Sequence, residues 1–259
     1  MFMAGIAGIP SIVKNGLILY LDSANRKSYV SGSNSWRDLS GYNNHFTLYN
    51  SPTFVNNFGG ELQFDGVNDY ARKRNSSINT LLQGPITIEM WIRSYVGYFY
   101  GNGGSGRFVS IADDAGTGSD STSTQGTDND NTYFNIRNQN ASNYLELGGW
   151  SGAYISENSP TYLNTDKYWQ VVFTANVAGG GVYLNYYLNG KFTFGPYNWT
   201  KSPFSGNTNI TLAMHSAGAL TNPLYSVKAA YSIFKFYSRV LSASEILQNF
   251  NATRGRFGL

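Results

Sequence analysis

Ile86–Arg93 reads ITIEMWIR, and its strict alternation decides the class of fold. On an extended chain Ile86, Ile88, Met90 and Ile92 share one face, while Glu89, Trp91 and Arg93 share the other. Outward from this stretch the same pattern recurs. Gly16–Asp22 (GLILYLD) is a continuous apolar run short enough for a strand buried on both faces. His45–Tyr49, Glu61–Phe64, Arg107–Ala112, Tyr133–Arg137 and Tyr144–Leu147 read as further strands. So do Trp169–Asn176, Gly181–Leu188, Lys191–Phe194, Ile210–Met214 and Ala229–Tyr237. Asn50-Ser51-Pro52 and Asp65-Gly66 punctuate the strands, and Asn189-Gly190 is a hairpin signal. Ser31–Asn44 reads as a loop anchored by Trp36 and Leu39. Helix is predicted only over Ser242–Asn251, where Ser242 and Glu245 form a capping box ahead of the Ile246, Leu247 and Phe250 stripe. With no βα alternation, the chain is predicted to be all-β: a two-sheet antiparallel sandwich with one short C-terminal helix.

Composition supports that class and narrows the functions. Of 259 residues, 16% are aromatic and only 13% charged, about half the usual charged share of a soluble domain. Aromatics fit pleated surfaces, while Gly, Asn and Ser fit turns. A net charge of +3, with basic runs no longer than Arg72-Lys73-Arg74, argues against a nucleic-acid surface. Zero cysteines rule out disulfides and thiolate sites. Met1–Val13 is apolar but has no basic start, so no secretory signal is read. No run of ~18 apolar residues follows, so no membrane span is expected.

The order of segments resembles the laminin-G-like branch of the concanavalin A-like lectin/glucanase superfamily. The residues that carry it are GLILYLDSAN (16–25), WRDLSGYNNHFTL (36–48), LQFDGVNDY (62–70), ITIEMWIR (86–93), YYLNGKF (186–192) and FKFYSRVLSASEILQNFNATRGRFG (234–258). The same combination is similar to virion-associated proteins of tailed bacteriophages. The resemblance implies a jelly roll over residues 14–259 as one domain, preceded by an apolar arm, 1–13. It implies a virion surface protein (capsid decoration, head fibre or tail-associated module) on the phage particle, with other virion proteins or further copies of itself as partners. It does not fix the chemistry, because superfamily members bind sugar, bind calcium, cleave glucans or serve as structural modules.

The glucanase branch carries carboxylates spaced Glu-x-Asp-x-x-Glu on one strand face, as acid and nucleophile. The glutamates here are Glu61, Glu89, Glu146, Glu157 and Glu245, and no two are that close. No enzymatic activity is therefore expected, unless carboxylates from remote segments meet. In FDGVNDY, Asp65 and Asp69 are read either as a ligand contact or as turn-makers bonded to loop backbone. The Gly/Ser/Thr/Asp/Asn-rich stretch 113–131 holds Asp113, Asp114, Asp128 and Asp130, which could bind Ca²⁺ through oxygens or simply be solvated. No other cofactor is expected. GNGGSG (101–106) matches G-x-G-x-x-G but leads into a strand, not a helix, and reads as a loop. His45 and His215 lack metal-ligand spacing.

Aromatics beside loops are the candidates for a cell-surface glycan: Tyr98, Tyr100, Trp150, Tyr154, Tyr197 and Trp199. Sugar rings can stack on such side chains while Asn and Asp take the hydroxyls. A carbohydrate-binding adhesin is accordingly the alternative to a virion component. In the arm, Phe2, Met3, Ile6, Ile9 and Ile12 would be costly if exposed. They are expected to pack on a neighbouring subunit or virion protein, or along their own sandwich.

Overall fold

The structure is a computed structural model that describes residues 10–74, 84–100, 106–113, 132–138, 145–148, 167–178, 181–199, 208–214 and 226–259. These residues form two antiparallel sheets. The eight-stranded sheet runs β13 (Lys191–Trp199), β12 (Gly181–Leu188), β11 (Trp169–Ala178), β7 (Ile86–Tyr100), β15 (Ser226–Tyr237), β5 (Glu61–Asp65) and β4 (Thr53–Val55), with β1 (Leu17–Asp22) also paired to β15. The seven-stranded sheet runs β10 (Leu145–Gly148), β9 (Thr132–Asn138), β8 (Arg107–Asp113), β14 (Thr208–Leu212), β6 (Tyr70–Lys73), β3 (Phe46–Tyr49) and β2 (Ser35–Trp36). A single helix, α1 (Ala243–Thr253), closes the described chain with a 3₁₀ turn, Arg254–Phe257. This is the predicted all-β, two-sheet sandwich.

The alternation in ITIEMWIR does what its period requires. Ile86, Ile88, Met90 and Ile92 enter the core between the sheets, beside Val171, Phe173, Phe234 and Phe236. The facing sheet contributes Trp36, Phe46, Val109, Ile111, Ile210 and Leu212 to the same core. Across the gap the Phe46 and Phe234 rings lie 6.0 Å apart, and the Tyr231 hydroxyl donates to the Phe108 carbonyl at 2.8 Å.

The strand β15 departs from simple alternation. Val227, Ala229 and Tyr231 face the core, then Phe234 and Phe236 do. The phase changes at Ser232, an extra residue between the pairs Tyr231↔Ile92 and Ile233↔Trp91. At that bulge β15 also exchanges its other neighbour, from Leu62 of β5 to Asp22 of β1. One long strand thereby serves both, and its apolar residues are buried on both faces.

The outer face of the eight-stranded sheet is covered around its central strands, not solvated. Glu89 and Lys235 are both 0% exposed there, with Nζ–Oε1 at 2.8 Å. Gln170 Nε2 donates to Glu89 Oε1 at 3.0 Å and Asn249 Nδ2 to Glu89 Oε2 at 2.7 Å. Asn249 belongs to α1, so the helix supplies a partner that the sheet cannot. Its Oδ1 accepts from the Val13 amide at 2.8 Å, and the Tyr237 hydroxyl donates to the Val13 carbonyl at 3.1 Å. Ile12 lies part-buried against the same apolar patch; Phe2, Met3, Ile6 and Ile9 are outside the described residues. The helix starts at the predicted capping box, with Glu245 also bonded twice to Arg239. The hairpin tip tucks under it. Gly190 (φ +75°) donates its amide to Gln170 Oε1, and a Cβ there would stand 3.0 Å from Leu247 and Phe250.

Beside this network Trp91 stacks between Phe250 and Phe257, at 5.8 and 4.2 Å. Arg256 pins the closing turn to Asp22 Oδ1 at 2.7 Å, to the carbonyls of Phe58 and Gly60, and to the Ser232 hydroxyl.

Breaking a buried ion pair on one side costs about 3–5 kcal/mol, because the remaining charge loses its counter-ion. Lys235→Met is expected to lower unfolding free energy by about that much in equilibrium urea denaturation. Adding Glu89→Gln should restore a large part; an equal loss in both variants would contradict the role given to the pair.

Candidate functional site

Among the described residues β4 and β2 end their respective sheets, and residues at both ends line one groove, so the sandwich is open there. A groove of about 330 Å³ lies along this edge. One wall is the loop Tyr29–Asn34, and the other is the β3–β4 connection with Asn50, Ser51 and Pro52. Leu48, Tyr29 and Phe54 give it an apolar floor, the two rings 5.4 Å apart and tilted by 39°. Burial pushes the Tyr29 phenol above its usual pKa, so it stays neutral.

Local sequence explains both walls. Asn50 and Ser51 carry φ of 61° and 71°, which lets the chain leave β3 in one sheet and enter β4 in the other within three residues. Asn50 Nδ2 donates to the Asn68 carbonyl at 2.6 Å and fixes that wall. In the other wall the Ser33 amide donates to Val30 O at 2.9 Å across Gly32 (φ +84°), and Leu48 N donates to Asn34 O at 2.8 Å. Among the described residues the side chains of Ser31, Asn34 and Ser51 have no hydrogen-bond partner. Among the described residues no charged side chain lines the groove.

A second basin, of about 610 Å³, lies between residues 10–12 and the closing turn, lined by Tyr20, Asp22, Ile233, Arg254, Arg256 and Leu259 among others. Its inner wall is the Arg256 anchor, already saturated with partners.

The carboxylates are placed as structural groups. Glu61 is fully buried, accepting from Tyr168 OH at 2.6 Å and paired with Arg93 at 2.5 Å. Phe257 and Phe58 pack on Tyr168, at 4.6 and 5.1 Å. Burial, then the adjacent Glu61 charge, raise the Tyr168 phenol well above its ordinary pKa. In FDGVNDY, Asp65 Oδ1 accepts from the amides of Val67, Asn68 and Asp69, at 2.7, 3.2 and 3.3 Å. Asp69 Oδ2 returns a bond from the Asp65 amide at 3.2 Å. The phrase is a loop that closes on itself. Exposed His45 accepts at Nδ1 from the Asp38 amide at 3.0 Å.

The residues predicted as sites lie largely elsewhere. Tyr197 and Trp199 fall on β13, opposite Leu184 and Val182 of β12, and Tyr98 and Tyr100 on β7, with Tyr100 opposite Ser226. Their side chains, like all of Trp150 and Tyr154, are outside the described residues. Asp113 ends β8; its side chain and all of Asp114, Asp128 and Asp130 are outside them too. Among the described residues no three His, Asp or Glu gather as a metal site. The open-edge groove escaped the sequence reading, although its Asn50-Ser51-Pro52 wall was visible there as a strand stop.

No protein-family model and no curated protein matches the chain. Solved structures do. Trypanosoma rangeli sialidase in complex with 2,3-difluorosialic acid matches with a TM-score of 0.65 at 14% identity, over 99% of this chain and 36% of that one. The receptor binding domain of botulinum neurotoxin C/D mosaic serotype matches at 0.62 and 15%, over 92% and 51%. The serotype D binding domain matches at 0.62 and 16%, over 92% and 52%. These are likenesses of fold, consistent with a coarse concanavalin-like sandwich, and the chain spans about a third to a half of the matched chains. They also correct one expectation. The absence of a Glu-x-Asp-x-x-Glu pattern predicts no enzymatic activity, yet the matched structures include sialidases, which are glycan-cleaving enzymes. Paired carboxylates are the wrong criterion for that class, since sialidases attack through a tyrosine.

Burial, then the neighbouring Asp65 charge, raise Asp69 from 3.8 to about 6. A raised folded pKa favours the fold below the unfolded value of 3.8 and withdraws that support as pH climbs through about 6. Asp69→Asn is expected to raise stability at pH 7 by on the order of 1–3 kcal/mol and to do little at pH 3. Thermal melts across pH 3–8 read this out; a loss at pH 7 would count against it.

Proposed function

We propose that this chain is a glycan-recognition module built on a two-sheet β-sandwich. The observation that carries the reading is the open-edge groove, where Asn and Ser side chains surround an apolar floor of Tyr29, Leu48 and Phe54. Ligand sites combine such a floor with a few polar groups that fix orientation. The fold comparison supports it from another side, since the similar structures include a sialidase in complex with sialic acid and a toxin's receptor binding domain. A glycan array followed by calorimetric titration tests it. Saturable binding is expected, weakened about tenfold or more by Phe54→Ala, which is roughly 1.4 kcal/mol. Trp150→Ala and Trp199→Ala ask whether the loop aromatics contribute, and assay of the same glycans for released sugar separates recognition from cleavage. No binding to any glycan would remove the reading.

A second reading, that the module is a virion surface component, is favoured by the phage-like segment order and by the apolar segment around Ile12. Val13 is bonded to Asn249 and Tyr237, and Ser11 O accepts from Gln248 Nε2, so the segment 11–13 is fixed on the covered face. Deleting residues 1–9, which spares that anchor, is expected to reduce incorporation into particles, read by mass spectrometry of purified virions. Absence of the full-length protein from those particles would end this reading.

A further inference from the structure

We infer that the open-edge groove takes an uncharged sugar ring and disfavours a sialylated one. This rests on the glycan reading above and specifies its ligand. Among the described residues the groove is lined by Tyr29, Gly32, Leu48, Pro52, Phe54 and five Ser or Asn residues, with no Lys, Arg, Asp or Glu. A carboxylate held in such a site would lose its water and gain no counter-charge. Proteins that select carboxylates supply an arginine fork or an ammonium for that reason.

The polar groups present match a hydroxyl instead. A sugar hydroxyl donates and accepts, whereas a carboxylate only accepts. Asn50 commits Nδ2 to Asn68 O at 2.6 Å, which leaves its Oδ1 to accept. The Asn34 amide offers donors and an acceptor, and the Ser31 and Ser51 hydroxyls offer both. Below them Phe54 and Leu48 give the apolar C–H face of a pyranose a surface to cover. A volume of about 330 Å³ is at the small end of ligand sites, which span roughly 300–1,000 Å³, and suits one or two rings. The walls are set before any ligand arrives. Asn50 and Ser51 hold left-handed backbone, and Leu48 N ties the Asn34 carbonyl to β3. Little ordering is left to oppose binding.

The test uses the full chain against pairs of oligosaccharides that differ only by a terminal sialic acid, titrated at 50 and 500 mM NaCl. The asialo member is expected to bind at least tenfold more tightly, with an affinity that changes little with salt. Asn34→Ala should weaken it about tenfold. So should Asn50→Gly, which keeps the positive φ while deleting the amide and its bond to Asn68; cooperative melts and parent-like circular dichroism show that both variants fold. Tighter, salt-sensitive binding of the sialylated member overturns the inference and leaves glycan recognition standing. So does asialo binding that ignores both Asn variants but is lost in Trp150→Ala or Trp199→Ala. Failure of either member, and of every array glycan, to bind removes both readings.

Discussion

A carboxylate and an ammonium sealed together on the outside of the eight-stranded sheet set the terms for this structure. Glu89 and Lys235 stand on the two neighbouring central strands, on the face that would meet solvent in a sheet left uncovered. Once that face is covered, each must be satisfied internally, because an unpaired buried charge costs several kcal/mol. The sheet offers Gln170 as well, but the second carboxylate oxygen takes its bond from Asn249 of the helix. The helix is thus held by a polar contact as well as by Ile246, Leu241 and the Trp91–Phe250 stack. Arg256 extends the same logic, joining the closing turn to β1, to the β5 entry and to the β15 bulge. A large part of one face of the sandwich is thereby given over to holding itself together, and the groove lies at the open edge instead.

Much of this was legible in the sequence, wherever the signal is local. Strict alternation in ITIEMWIR placed the core and outer faces of β7. The Asn189-Gly190 turn placed a hairpin, and Ser242 with Glu245 placed the start of the helix. The strands β2 and β4 were not legible, because two or three residues carry no period. Nor was the break at Ser232, since an apolar run buried on both faces gives no phase to lose. The partner of Glu89 lies 146 residues away, and no pattern in ITIEMWIR hints that its lone acid meets a lysine. The groove shares this difficulty. It is assembled from a loop and a sheet-to-sheet connection, each reading as ordinary turn chemistry alone.

The same distinction governs function. Motif spacing can nominate chemistry that lies on one strand, as the paired-carboxylate pattern does. The similar structures include sialidases, whose chemistry does not depend on that pattern. A sandwich of this kind is a scaffold on which different sites are built, so the site's own chemistry has to carry the reading. Here that chemistry is neutral and hydroxyl-like, consistent with a chain so poor in charge.

The place of β15 has a consequence for how the molecule is made. Residues 226–237 fill the middle of the larger sheet, between β7 on one side and β5 and β1 on the other. Among the described residues the β1 strand pairs with no other strand, and β5 has only the three-residue β4 besides. Until this strand arrives, the larger sheet of a growing chain holds β7 with β11–β13 and β5 with β4 as separate pieces with raw edges, rather than a smaller version of the finished sandwich. Closure joins segments from about 125 to 220 residues apart, which makes folding slow and leaves exposed strand edges as the hazard along the way. The keystone is laid after every strand it joins, and the helix and turn that follow it lock the arch.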